Sequence, residues 1–325
     1  MKSKKRILIT GGTGFIGKYL IEEALGNHFE VYLAIRKNSS IDHLKKYDLN
    51  YITLDYSSFE SITKSLKTQV FNPYFFDYLI HNAGVKDAVK SEDFYKYNST
   101  LTLDLACAIK SLHLLKYEFI FVSSLAASGP GNENSLENII EEKHSKPISA
   151  YGRSKLLAER HLKSSGLSYL ILRPTAVYGN GTKDFDGLVN FLKNRIAIYL
   201  GTKDQILSFI HAQDFAKICF RFIQEELNHQ TILVSDGKIY TTKQFYKTLA
   251  TALNSKIMFT FRIPEFILFS LAYIQQKLRI KGPLNSVDKC REVLCVNWKC
   301  QGSKLYNTIN YEPLHQISEI AAQRD

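Results

Sequence analysis

The sequence predicts an α/β fold: a parallel sheet wound on both faces by helices, with a smaller and discontinuous lobe after residue 174. Three observations predict it. Short, wholly apolar runs alternate with amphipathic segments through the first half of the chain, as strands buried on both faces require. A glycine-rich turn, Thr10-Gly11-Gly12-Thr13-Gly14-Phe15-Ile16-Gly17, separates the first apolar run from the first helical one. Past Arg173-Pro174 the alternation becomes irregular.

Residues 7–10 read as the first strand and 14–25 as the first helix, with apolar residues at helical spacing. Residues 30–35 and 51–54 are the second and third strands, with a helical turn near 43–46 between them. A helix over 59–66 leads to a fourth strand at 78–80. One long amphipathic helix is expected over 93–115, then an apolar fifth strand at 119–122. A helix over 149–162 and a sixth strand at 169–172 follow. Beyond a loop at 179–182, residues 185–195 are helical, and 208–211 read as a strand returning to the sheet, followed by a helix over 214–222. From Lys243 the order is helix, strand (257–261), helix (264–278), then short helices. The expected division is a sheet domain at 1–174, joined by the return strand and helix near 205–230, and a second lobe at 175–204 and 231–325.

The chain has 325 residues, 45% of them apolar and 22% charged, an ordinary globular mix. Its formal net charge of +11 favours anionic ligands or surfaces. The lysines are dispersed, without zinc-finger spacing or an RNA-binding aromatic signature, so nucleic acid is not an expected partner. Cys107, Cys219, Cys290, Cys295 and Cys300 are odd in number and lack metal-ligand spacing. They read as reduced structural thiols in a cytoplasmic setting, with no metal expected. The basic start is followed by an apolar run too short for a signal peptide. No run reaches the roughly 18 apolar residues that a membrane span needs. The nearest, Phe266-Ile267-Leu268-Phe269-Ser270-Leu271-Ala272-Tyr273-Ile274, reads first as a packed helix and second as a helix lying on a membrane surface.

A glycine turn between strand and helix lets a pyrophosphate approach the backbone and sit on the free N–H groups of the helix. Two registers fit: Gly12, Gly14, Gly17 as G-x-G-x-x-G, or Gly11, Gly14, Gly17 as G-x-x-G-x-x-G. At the end of the second strand, where an acid would bind a ribose 2′-hydroxyl, stands Ile35-Arg36-Lys37. A guanidinium can fork onto a 2′-phosphate, so NADP(H) is favoured over NAD(H).

Ser149-Ala150-Tyr151-Gly152-Arg153-Ser154-Lys155 carries the catalytic signal. Tyr151 and Lys155 are four apart on a helix and share a face. An unperturbed tyrosine titrates near pH ~10, and an adjacent ammonium would bring it toward operating pH. Ser123-Ser124, just past the fifth strand, is placed to supply a hydroxyl that holds a substrate oxygen at the carboxyl edge of the sheet.

Together these residues resemble the extended short-chain dehydrogenase/reductases, also called the NAD-dependent epimerase/dehydratase family, over essentially the whole chain. The resemblance implies a Rossmann sheet and the Gly11, Gly14, Gly17 register, with Thr13, Phe15 and Ile16 in the same cofactor turn. It implies that Asp55, with Tyr56 beside it, meets the adenine, and that Asn82, Ala83 and Gly84 flank the adenosine ribose. Asn98 matches the asparagine of the central helix. Ser124, Tyr151 and Lys155 match the catalytic triad, with Lys155 also on the nicotinamide ribose. Arg173-Pro174-Thr175-Ala176-Val177-Tyr178-Gly179 is similar to the segment that flanks the nicotinamide, which brings in Pro174. Plain structural readings stand beside three of these: Asp55 as a strand-end cap, Asn98 as a helix-packing amide, Arg173 in an ion pair at the sheet edge. A homodimer through two long helices is common in the family.

Two departures bear on substrate. Nucleotide-sugar members commonly carry an asparagine just after the sixth-strand arginine, where Pro174-Thr175-Ala176 has none. They also tend to carry an arginine before F-I-H, where Leu207-Ser208 stands, although Lys193, Arg195 or Lys203 offer charge nearby. The Arg36 turn and R-P-T-A-V-Y-G look more like the branch that includes dihydroflavonol reductases and 3β-hydroxysteroid dehydrogenases. The expected function is therefore an NAD(P)-dependent oxidoreductase for a secondary alcohol or ketone of a small apolar, sterol-like or flavonoid-like substrate. The alternatives are a nucleotide-sugar epimerase or dehydratase using the same triad, and a non-catalytic dinucleotide sensor. His211 reads as a structural histidine before a substrate contact.

Overall fold

The computed structural model describes residues 4–70, 72–88, 90–141, 145–225, 227–280 and 286–322. The first part runs β1 (Arg6–Thr10), α1 (Phe15–Gly26), β2 (Glu30–Ile35), β3 (Asn50–Thr53), α2 (Phe59–Lys67), β4 (Phe76–His81), α3 (Ser91–Phe94), α4 (Leu101–Ser111), β5 (Leu115–Val122), α5 (Ala150–Ser164) and β6 (Tyr169–Pro174). The second part begins with β7 (Ala176–Tyr178), α6 (Asp186–Lys193), β8 (Ile196–Leu200), β9 (Ile206–Leu207), β10 (Phe209–His211) and α7 (Ala212–Gln224). It continues with β11 (Gln230–Val234), β12 (Tyr240–Thr241), α8 (Thr242–Ala252), β13 (Phe259–Ile263), α9 (Glu265–Leu278), α10 (Val287–Leu294), α11 (Ser303–Thr308) and α12 (Glu319–Ala322).

Seven strands form one parallel sheet in the order β3-β2-β1-β4-β5-β6-β11. The order reverses between β1 and β4, so the loops leaving those two strands diverge and open a crevice at their carboxyl ends. The apolar character of the strands follows from the two cores they separate. Ile7, Ile9, Val31, Ile80 and Leu172 face one core, with Leu20 of α1 and Phe215 and Ile218 of α7. Leu8, Ile52, Leu79, Phe121 and Ile171 face the other, with Leu66 of α2, Leu105 of α4 and Ala158 of α5. Successive residues point to opposite faces, so a strand covered on both sides is apolar without alternation.

Two expectations are corrected. The segment 93–115 is not one helix: α3 passes into a π-helical turn at Tyr95–Thr100 before α4, and Leu115 already opens β5. The turn is held by Asn98, whose amide faces neighbouring backbone rather than solvent and whose carbonyl accepts from Thr102 Oγ1 at 2.6 Å. The segment at 208–211 does not return to the main sheet. β10 pairs with β7 in a separate parallel ribbon, and the seventh strand of the main sheet is β11, register Ile232↔Leu172. The Rossmann sheet thus reaches Val234, past the boundary expected at residue 230. The rest of the second part has its own core, in which Tyr178, Val189, Leu192, Phe209, Phe245 and Leu249 meet. All five cysteines are unpaired, with Cys219, Cys290 and Cys300 buried.

One polar cluster lies inside the fold. Arg173, at the end of β6, donates from Nε (2.8 Å) and Nη2 (2.6 Å) to the two carboxylate oxygens of Glu159 on α5. The side chains are 4% and 1% exposed. Arg173 Nη1 also donates to Ser128 Oγ at 2.9 Å, and Ser123 Oγ donates to Glu159 Oε1 at 2.5 Å. The ion-pair reading of Arg173 is therefore the one the geometry shows. Removing one partner strands the other charge in a dry site, so Arg173→Met is expected to destabilise the protein by about 3–5 kcal/mol. Arg173→Met with Glu159→Leu should recover most of that loss. Chemical denaturation of the two variants checks the ordering.

Candidate active site

The glycine turn is built by close backbone approach. Gly11 has φ +70°, and a Cβ there would sit 2.6 Å from Ala83 N. A Cβ on Gly17 would sit 2.3 Å from Gly11 O. Both clashes are with backbone, which cannot swing aside. At Gly12 the obstacles are the ends of two side chains, Leu33 and Ile21, so the backbone constraints fall on the Gly11 and Gly17 pair. No side chain caps α1, whose N-cap is Gly14. The first N–H groups of the helix are thereby left to whatever binds there. A bare helix start in a cradle that a Cβ would fill is what a dinucleotide pyrophosphate requires. Thr13, Phe15 and Ile16 sit in the same turn, and Phe15 packs edge-on against Tyr19, whose hydroxyl donates to Asn180 O.

Across the crevice, Asn82 Nδ2 donates to Gly11 O (3.1 Å) and Ala83 N donates to Thr10 Oγ1 (3.2 Å), which locks the loop after β4 onto the turn after β1. Behind it, Asn98 accepts from Val85 N (2.8 Å) and donates to Val85 O and to Ser154 Oγ, each at 3.0 Å. A Cβ on Gly84 would meet Asn98 Oδ1 at 2.7 Å. Asn98 thus braces the β4 loop to α5, as its packing reading had it. His81 is buried between Thr10 Oγ1 and Thr102 Oγ1. Burial, with Lys155 nearby, lowers its pKa to about 3, so it is a neutral bracket.

At the adenosine end, Arg36 is exposed after β2, while the Asp55 carboxylate accepts from Ser57 N at 3.0 Å. Asp55 therefore forms a strand-end turn, its structural reading, and keeps a second oxygen. Tyr56 is half-buried on the α2 side, within the field of Arg36. Pro174 is buried in β6 opposite Val234.

The other end brings Ser124, Tyr151 and Lys155 together. Ser124 accepts from Ala126 N and starts a short 3₁₀ turn. Tyr151 and Lys155 lie one turn apart on α5, which Ser149 caps by accepting from Gly152 N. Burial pushes the Tyr151 phenol up to about 12; the Ser124 hydroxyl opposes this, and Glu292, Asp87 and Asp184 add to it. Lys155 is 5% exposed, donates to Val122 O at 2.8 Å, and lies over the Phe121 ring. Burial lowers its pKa to about 8, against the attraction of Glu159. The expected action of Lys155 on Tyr151 involves the nicotinamide ring as well; among this chain's own groups, burial is the largest influence on the phenol. The ammonium is bonded to a carbonyl, and desolvation of the phenol outweighs the favourable contacts.

Residues far along the chain complete the rim. Glu292 of α10 accepts from Ser149 Oγ, and Asp288 accepts from Ala150 N (3.0 Å) and Arg153 Nη2 (2.7 Å). Carboxylates at the start of α5 suit its dipole. Phe94 stands edge-on to Tyr151, 6.0 Å between centroids. The segment Val287-Asp288-Lys289-Cys290-Arg291-Glu292 carries no motif, and only the chain's return places it here. His211, by contrast, accepts from Gln213 N through Nδ1 and stacks on His315 at 3.9 Å, which is structural work at the start of α7.

Residues 7–234 match the NAD dependent epimerase/dehydratase family. The chain belongs to that family, and is an enzyme of the extended short-chain dehydrogenase/reductase type on a nicotinamide-dinucleotide-binding Rossmann fold. A UDP-glucose 4-epimerase of Vibrio cholerae is 29% identical over 266 residues, covering 78% of this chain and 77% of that one. A sterol-4-alpha-carboxylate 3-dehydrogenase (decarboxylating) of Dictyostelium discoideum is 25% identical over 255 residues, covering 74% of each. The enzyme WbmG of Bordetella bronchiseptica, solved with NAD and UDP, shares the fold with a TM-score of 0.74 at 17% identity, over 99% of this chain and 94% of that one.

The buried ammonium predicts a stability trade-off. Lys155 has a folded pKa below its unfolded value of 10.5, so the charged form opposes folding at every pH below about 8. Lys155→Met should raise the melting temperature by a few degrees at pH 7, and the gain should shrink as pH rises from about 8 toward 10.5. Thermal melts of both proteins across that range check the sign. In the turn, Gly17→Ala should abolish NAD(H) and NADP(H) binding by fluorescence titration, because the clash is with Gly11 O.

Proposed function

We propose that this enzyme is an NADP(H)-dependent oxidoreductase that interconverts a secondary alcohol and a ketone on an apolar, sterol-like or flavonoid-like substrate. The observation that carries this reading is the charge around Tyr151. Asp87, Asp184 and Glu292 act on its phenol, while Lys86 pairs with Asp184 and Lys289 pairs with Glu292. A rim whose ammonium groups are already matched by carboxylates offers a nucleotide diphosphate little free positive charge and tolerates a neutral substrate. Of the side chains near the place where a diphosphate clamp would stand, two are held by other groups. Ser208 Oγ accepts from Cys300 N, and Lys203 pairs with Glu133. The relative that acts, by its name, on a sterol carboxylate agrees with this choice.

In this reading Gly11, Thr13, Gly14, Phe15, Ile16 and Gly17 hold the pyrophosphate at the start of α1. Arg36 takes the 2′-phosphate, Asp55 and Tyr56 the adenine, and Asn82, Ala83 and Gly84 the adenosine ribose. Pro174 flanks the nicotinamide, and Asn98 positions the loop and α5. The nicotinamide, when bound, supplies the hydride donor or acceptor. Ser124 orients the substrate oxygen by its hydroxyl. Tyr151, a phenol protonated at neutral pH, gives its proton to a ketone oxygen or, in reverse, takes the hydroxyl proton. Lys155 leaves the Val122 carbonyl to hold the ribose and to stabilise the phenolate.

Tyr151→Phe should lower kcat about 10²–10⁴-fold with NADPH binding unchanged, since only proton transfer is removed. Retained turnover would sink the mechanism. Arg36→Ala should weaken NADPH binding about 10- to 100-fold and leave NADH binding nearly as it was. Equal effects on both cofactors would return Arg36 to the solvent.

A second reading, a nucleotide-sugar 4-epimerase or dehydratase, is favoured by the UDP-glucose 4-epimerase relative. Such an enzyme converts its substrate with no net change in nicotinamide absorbance and binds UDP. Assays on sterol, flavanone and UDP-sugar panels separate the two.

A further inference from the structure

Among the described residues no helix is long and apolar enough to cross a membrane. The second part nevertheless shows solvent a broad apolar surface. On α9, Leu268 and Ala272 pack inward on Cys290 of α10, with Phe269, Ile263, Leu200 and Leu294 around them. The outward side is also apolar. Ile267, Leu271, Ile274 and Leu278 recur at helical spacing, with Phe266 and Tyr273 beside them, and all six are exposed, Phe266 to 71%. Directly before α9, every residue of β13 up to Arg262 is exposed. Phe259 and Phe261, each 56% exposed, share a face of the strand with Ile263, whose cover is α9. Exposed apolar residues thus occur both on the outer side of α9 and on the strand that precedes it, in the ribbon β13 forms with β8.

We propose that the outer face of α9 together with β13 is a docking surface for an anionic phospholipid bilayer, with the helix lying in the interface plane. Charge decides between a bilayer and a second copy of the chain. Residues 254–280 carry Lys256, Arg262, Lys277 and Arg279 against the single acid Glu265; Arg262 pairs with Asp204, which leaves Lys256, Lys277 and Arg279. Two copies packed through this face would bring like charges together, whereas acidic headgroups match them. Lys277 lies on the exposed side of α9, and Arg279, in the left-handed conformation (φ 53°), ends the helix. Both long side chains can lay their stems on apolar surface and keep their charge at headgroup level. Arg195, beside Met258 at 3.3 Å, adds a further cation at the β13 end. A tyrosine on the rim, Tyr273, suits a site with one wet and one apolar side.

The placement connects this surface to catalysis. α10 packs against the inner side of α9 through Cys290, and its Asp288 and Glu292 touch the start of α5 beside Tyr151. The catalytic rim and the docking face are therefore joined through α10, which touches both α9 and the start of α5. The proposal stands on the surface alone. A failure of vesicle binding leaves the oxidoreductase reading intact, and a failure of that reading leaves the docking face intact.

The test is co-sedimentation of the full chain with vesicles of phosphatidylcholine alone and of phosphatidylcholine with phosphatidylglycerol. Wild type is expected to pellet with the anionic vesicles, less with neutral ones, and less as salt rises. Phe266→Glu with Ile274→Glu should weaken that binding about tenfold or more, since each substitution replaces a buried apolar contact by a charge. Lys277→Ala with Arg279→Ala should flatten the salt dependence. Circular dichroism and NADPH titration, unchanged in all variants, show that the fold is kept. Wild type remaining in the supernatant overturns the proposal, as does undiminished pelleting of the Glu variant. A dimer by light scattering that the Glu variant dissociates, without vesicle binding, assigns the face to a second copy and also overturns it.

Discussion

The Arg173–Glu159 pair is the constraint from which the catalytic end of the molecule is assembled. Both charges lie in the layer between the sheet and α5, where neither is tolerated without the other. Glu159 must therefore face β6, which fixes the rotation of α5 about its axis. Tyr151 and Lys155, eight and four residues earlier on that helix, are turned with it toward the carboxyl end of β5. The same two side chains hold Ser123 and Ser128, so the segment carrying Ser124 is pinned on both sides. One ion pair thus sets the relative positions of the three residues of the triad.

A second constraint acts at the crevice. The turn after β1 and the loop after β4 approach so closely that a side chain at Gly11 would meet the backbone of Asn82 and Ala83. Asn82 and Thr10 lock the contact, and Asn98 carries it onward to Ser154 of α5. The dinucleotide turn and the catalytic helix are consequently parts of one rigid network. The π-helical turn that interrupts the central helix is where that network passes through it. In such a position a widened turn lets an amide face sideways to backbone partners on another element.

Much of the sheet was legible in the residues. Strands covered on both faces have continuous apolar runs, and the glycine turn, Ser124 and the Tyr151–Lys155 spacing are local patterns that survive without knowledge of the fold. What was not legible is equally particular. The π-turn at Tyr95–Thr100 depends on where Asn98 finds partners, which an uninterrupted helical periodicity does not show. The placement of β10 beside β7, and of β11 at the sheet edge, is a competition between two short apolar strands for one neighbour. Periodicity assigns each the same character; the run Thr231-Ile232-Leu233-Val234 is the one whose return places it against β6. Asp288 and Glu292 lie more than 130 residues from the helix start they cap, on a segment with no motif, and only the closed chain joins them.

The sequence by itself determined the class of fold, and it carried the glycine turn and the candidate catalytic side chains, because each rests on residues near one another in the chain. The tertiary structure alone decided the surroundings of those side chains. Tyr151 is raised and Lys155 lowered because burial removes water from both, and the ammonium bonds to the Val122 carbonyl that β5 presents. It also decided which cations at the rim are matched by carboxylates, and which apolar residues of 254–280 are left facing outward. Desolvation and charge pairing act through space, so they are settled by which segments pack together and not by their order in the chain.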